Sequence, residues 1–194
     1  MYLGETLTND SDGVPTGTPA GDLAFVSDSG SDPRTPWNGK RVQVCSATSR
    51  ACTAVPASPN GVTLDPVWSP SGSTLAYATA PQLTTDEFMP GQVAAWYGGH
   101  VLSLYDPSSG TVTTFASARG ATVPAWSRDG SGLLYESGDR LWLLPHDSGR
   151  PVAVAGPLFG ERAPFSYYGE IDWAQQFAWS ATPAAAQCYV ACNP

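Results

Sequence analysis

The chain contains only two histidines, His100 and His146, so any triad or histidine-based acid–base pair must recruit one of them. His146 precedes Asp147 in the turn-rich stretch HDSGR and reads as a solvated hairpin residue rather than a general base. His100 follows Gly98 and Gly99 at the end of a long connector, where it reads as a strand start within reach of a ligand. No G-x-S-x-G elbow, H-E-x-x-H, glycine-rich phosphate loop or G-x-G-x-x-G occurs. The neighbouring carboxylates Asp86 and Glu87 lie on one loop, and adjacent residues do not hold the ~5 to 9 Å separation that glycoside hydrolysis needs. NDSDG at 9–13 has the look of a calcium loop, but it falls short of the six-position spacing and lacks the distal Glu. The expectation is a non-enzyme with no catalytic residue, metal or cofactor.

The residue types better suited to recognition are aromatic, and they cluster. Three stretches of 27–40, 81–99 and 156–170 carry Trp37, Phe88, Trp96, Tyr97, Phe165, Tyr167 and Tyr168, interspersed with carboxylates. With His100 these seven form the candidate binding set. Tyr and Trp on long loops held by a rigid scaffold are the usual anchors of a binding surface. They suit a protein or peptide, or a glycan stacked on rings. The opposing expectation is that the rings fold back over their own loops.

The scaffold that must hold those loops is visible as a repeat. Residues 64–78 read LDPVWSPSGSTLAYA and residues 122–136 read TVPAWSRDGSGLLYE, with Pro66 and Pro124 standing 58 residues apart. VPTGTPAGDLAF from Val14 repeats the pattern with Gly17 in place of the tryptophan, and QFAWSATPAAAQCYV from Gln176 regains Trp179 but loses the proline and turn glycine. After each copy come two short apolar or alternating runs joined by SATSRA, PSSG or DSGR, the composition of paired strands and hairpin links. Each unit therefore holds four antiparallel strands, the content of one propeller blade. Glycine supplies the positive φ of the turn, and the tryptophan fills the wedge between blades.

DPVWSPSGSTLAYAT and VPAWSRDGSGLLYES resemble the TolB-like β-propeller repeat, whose core reads Pro-x-Trp-Ser-Pro-Asp-Gly followed by an apolar strand. The resemblance covers most of residues 9–190 and implies an all-β propeller, read as one domain over 1–194. It leaves function open, because that family spans periplasmic translocation factors, surface receptors and the non-catalytic propellers of prolyl oligopeptidase-like enzymes. Such propellers usually have six or more blades, whereas three full blades and a partial fourth are legible. A small closed ring, half of a six-bladed ring completed by a homodimer, and an open fragment all stay in view. Closure by some means is favoured, because open strand edges invite aggregation.

Four cysteines in two close couples favour disulfides and an oxidising compartment. Cys45 and Cys52 flank SATSRA, so a cross-strand bridge is natural; Cys188 and Cys192 would pin the last strand; bridges between the couples are the alternative. A net charge of −8 with scattered basic residues excludes a phosphate-backbone footprint, so nucleic acid is not expected as partner. No run of ~18 apolar residues occurs and no signal-peptide pattern precedes residue 10, so no membrane insertion is expected within this chain and any leader or anchor would lie upstream. The overall expectation is a secreted, periplasmic or envelope-facing module that binds a protein or peptide. A carbohydrate-binding or accessory propeller of a hydrolase is the alternative.

Overall fold

The computed structural model describes residues 15–28, 36–57, 61–82 and 92–158, and of residues 36, 37 and 92–94 the backbone only. Among the described residues, twelve strands form three sheets in chain order. The first holds β1 (Thr16–Gly17), β2 (Leu23–Asp28), β3 (Lys40–Cys45) and β4 (Cys52–Ala54). The second holds β5 (Gly61–Trp68), β6 (Leu75–Pro81), β7 (Val101–Asp106) and β8 (Thr111–Arg119). The third holds β9 (Thr122–Trp126), β10 (Gly132–Glu136), β11 (Leu141–Pro145) and β12 (Val152–Ala155). Every pairing is antiparallel between consecutive strands, so these are the expected propeller blades. Among the described residues they do not close into a ring. The expected partial fourth blade at 176–190 lies outside the described residues.

The repeated serine after each tryptophan closes the turn. Ser69 Oγ accepts from the Thr74 amide at 3.1 Å, and Ser127 Oγ accepts from the Gly132 amide at 3.0 Å. Gly72 and Gly130 both sit at φ 74°, and a Cβ on Gly72 would come within 3.0 Å of Thr18, so the turn needs glycine there for two reasons. The tryptophans fill the blade interfaces as wedges. Trp68 packs between the first and second sheets with Val26, Val42 and Tyr77, and Trp126 between the second and third with Leu102, Leu104 and Tyr135. Trp126 Nε1 also donates to the Val67 carbonyl of the preceding blade at 3.2 Å.

The inner strands of the second and third blades share a further feature. Asp65 and Val123, at equivalent repeat positions, have φ of 51° and 44°, the left-handed region that a β-branched residue rarely adopts. Asp65 Oδ2 accepts from the Val123 amide at 3.0 Å, which fastens one inner strand to the next at this irregular point.

A helix is the departure from an all-strand expectation. α1 (Gln92–Gly98) interrupts the connector between β6 and β7. Its seven residues are too few for helical periodicity to show in sequence, and it ends where the Gly99 amide folds back on the Ala95 and Trp96 carbonyls at 3.1 and 2.9 Å.

Cys45 and Cys52 are direct partners in the β3–β4 register and form a disulfide, as their placement suggested; Cys188 and Cys192 lie outside the described residues. The bridge closes a short outer hairpin. The Cys45→Ser, Cys52→Ser double variant is expected to lose roughly 2 to 3 kcal/mol by the chain-entropy relation. Urea midpoints with and without reductant check this, and a variant as stable as the oxidised parent would contradict it.

Candidate functional site

Antiparallel alternation sends two kinds of link to the same end of the blades: those joining second to third strands, and those joining one blade to the next. The opposite end carries the short turns at 18–22, 46–51, 69–74, 107–110, 127–131 and 146–151. Of the three long stretches, 29–39 and 82–100 leave and re-enter the sheets at the shared end, and 156–158 starts from it; residues 159–170 are outside the description. The third blade departs from the pattern, because residues 137–140 join β10 to β11 in one tight turn.

The candidate aromatics divide. Trp96, expected as a surface anchor, is 5% exposed and belongs to the core between the first two blades. Its Nε1 donates to the Pro81 carbonyl at 2.6 Å, which locks α1 over the end of β6. His100, considered as a ligand contact, is 1% exposed. Its ring meets Trp96 edge-on with centroids 4.5 Å apart and lies 5.2 Å from the Tyr97 ring. Neither imidazole nitrogen has a hydrogen-bond partner of good geometry. Burial pulls the His100 pKa down to about 4, the nearby Ala121 backbone opposing part of the drop. Both side chains were turned inward by the same cause: a connector long enough to fold a helix back onto its own blade buries its largest rings.

Tyr97 alone of the candidates whose side chains are described stays partly exposed at this end, its ring resting against the core between the first two blades. Its phenol is pushed up to about 12, first by burial and then by the carboxylates of Asp65 and Glu136. Those two acids come from β5 and β10, so the phenol feels charge from two blades. Glu136 is 6% exposed; its Oε2 accepts from Thr122 Oγ1 at 3.1 Å and its Oε1 from the Asp139 amide at 2.8 Å. Burial raises its pKa, and burial likewise raises that of Asp65 against the opposing Val123 amide. At the same end of the first blade, the buried Lys40 pairs with Asp28 at 3.3 Å.

Sequence reasoning passed over Asp65 and Glu136, although the repeat held a signal for each. Val123 stands where Asp65 does, and Val26 and Ala78 stand where Glu136 does, so each acid breaks an apolar consensus. Trp37 lies in the short 3-10 turn Pro36–Gly39, which fixes its backbone. Phe88, Phe165, Tyr167 and Tyr168 lie outside the described residues. His146 is exposed in the β11–β12 hairpin at the opposite end, where a turn residue was expected. Among the described residues no group of three or more His, Cys, Asp and Glu side chains is arranged to hold a metal ion, and no helix is long and apolar enough to cross a membrane.

No protein-family model and no curated protein matches the sequence. Solved structures do match the fold. A putative TolB from Agrobacterium tumefaciens superposes with a TM-score of 0.51 at 15% identity, over 75% of this chain and 47% of that one. An oligogalacturonate lyase in complex with manganese gives 0.52 at 17% identity, over 74% of this chain and 36% of that one. The chain thus spans less than half the length of either protein, and the shared feature is the propeller fold.

Proposed function

We propose that the chain is a non-enzymatic binding module outside the cytoplasm, which holds a basic segment of a protein or peptide at the long-connector end of its blades. The observation that carries this reading is the partly exposed Tyr97 ring at the long-connector end, whose phenol feels the charges of Asp65 and Glu136. A partly exposed aromatic ring in a negative field offers a lysine or arginine a π face, and the net charge of −8 steers such a partner in. Loss of Trp96 to the core takes one plate from a sugar-stacking platform and favours the peptide over the glycan. The sealed imidazole of His100, and the position of His146 at the far end, support a role without chemistry. The Cys45–Cys52 bridge supports an oxidising location.

The test is selection of a displayed random-peptide library on the immobilised full chain. Enrichment in Lys and Arg is expected, with binding that weakens as salt rises. Tyr97→Ala is expected to weaken the best binder about tenfold, equivalent to ~1.4 kcal/mol. His146→Ala, at the opposite end, should leave it unchanged. A library that enriches no basic sequences, or a binder lost equally in both variants, overturns the reading.

A further inference from the structure

The sequence of α1 gives it little reason to be helical by itself. Its seven residues fall short of the length at which an isolated helix persists in water, and it has neither an acid in its first turn nor a base in its last to complement the helix dipole. The helix therefore exists because it is docked on β6. Trp96 carries the docking: its ring joins the core beside Val62, Ala78 and Ala80, and its Nε1 donates to the Pro81 carbonyl at 2.6 Å. Gly99 completes the fit, since a Cβ there would come within 3.0 Å of Pro81 Cγ and 3.2 Å of the Trp96 carbonyl oxygen. Pro81 is thus the plate on which the end of α1 closes.

One group beneath the helix is better solvated without it. His100 belongs to the sheet side, because its carbonyl accepts from the Gly120 amide at 2.8 Å just ahead of β7. Its buried ring lies edge-on to Trp96, and neither imidazole nitrogen has a hydrogen-bond partner of good geometry. A buried imidazole in that state carries a desolvation cost that water would remove. Burial of the indole favours a docked helix and the imidazole opposes it, so α1 has a reason for each of two arrangements. The backbone between them is suited to a swing: a Cβ on Gly98 would meet nothing within 4 Å, and Gly99 beside it has no side chain to carry.

We propose that α1 is a lid that opens as a unit while the three sheets stay folded, hinged at Gly98 and Gly99 and latched by Trp96 on Pro81. Opening breaks the bonds from the Gly99 amide to the Ala95 and Trp96 carbonyls and from the His100 amide to the Tyr97 carbonyl. It frees the indole donor and gives the imidazole water. It also carries Tyr97 away from the charges of Asp65 and Glu136. That last consequence alone rests on the peptide reading, and under it the lid sets how often the proposed site is present.

Hydrogen exchange on the full-length, 15N-labelled chain tests the lid with no ligand present. The Gly99 amide, the His100 amide and the Trp96 indole proton are expected to share one opening equilibrium. They should exchange on the order of a hundredfold faster than the slowest ladder amides of β6 and β7, with no dependence on urea below the unfolding transition. Trp96→Phe removes the latch and should speed the two amides about tenfold. Gly98→Ala has open space for its methyl and favours the helix, so it should slow all three protons about threefold. Exchange of the three at the pace and urea dependence of the β6 and β7 ladder overturns the lid. So do three unrelated opening equilibria, or a Gly98→Ala protein in which none of them slows. Failure of the basic-peptide selection would remove the ligand reading and leave these outcomes unchanged.

Discussion

Trp126→Ala is expected to lower stability by about 3 to 5 kcal/mol, since it empties the wedge between the second and third blades. Urea unfolding of the full chain measures it, through a lower midpoint at unchanged slope. The more telling comparison sets Trp126→Phe against Trp68→Phe. Both keep an aromatic ring in a buried interface, but the two indoles differ in their polar atom. Trp126 Nε1 donates to Val67, so phenylalanine leaves a carbonyl without its donor, at about 1 to 3 kcal/mol. Trp68 Nε1 is buried with no hydrogen-bond partner. Phenylalanine there removes an orphaned donor, and the relief offsets the smaller ring. Trp126→Phe should be the costlier by more than ~1 kcal/mol; equal costs would show that the hydrogen bond contributes nothing to the wedge.

That contrast marks where sequence reading succeeds. Trp68 and Trp126 are alike in the text of the repeat, and their shared wedge role was legible because a blade needs one turn and one bulky filler at fixed spacing. The four-strand content and the common end of the 29–39 and 82–100 connectors followed from the same periodicity, and the Cys45–Cys52 bridge from the placement of the two cysteines about one hairpin link. Side-chain direction within a connector has no periodicity to read. Trp96 and Tyr97 are adjacent, yet a helix of seven residues turns one into the core and leaves the other only partly covered. Glu136 and Asp65 escaped for a different reason: a carboxylate in a strand reads as solvent-facing, and only the folded chain brings Glu136 to the Thr122 hydroxyl and Asp139 amide of its own blade and Asp65 to the Val123 amide of the next.

The second large effect belongs to His100 and to acid. Its folded pKa of about 4 lies below the ordinary histidine value of 6.5, so between those two values the unfolded chain binds the proton and the folded one does not. Stability from this group is complete above pH 6.5 and is lost as pH falls through the window to about 4, amounting to roughly 3 kcal/mol at 1.4 kcal/mol per pH unit. Glu136 and Asp65 act with the opposite sign: their folded pKa values are raised, so their share of stability falls as pH rises above the ordinary carboxylate range. The histidine is isolated by subtraction, comparing unfolding free energies of the parent and His100→Phe from pH 4 to 7. The parent should gain about 3 kcal/mol more across that range, and parallel curves would refute the assignment. Because the His100 ring lies under Trp96 and beside Tyr97, charging it loosens the element that presents the phenol. Peptide retention should therefore weaken more steeply in that acid window in the parent than in His100→Phe, where protonation of the acids alone remains.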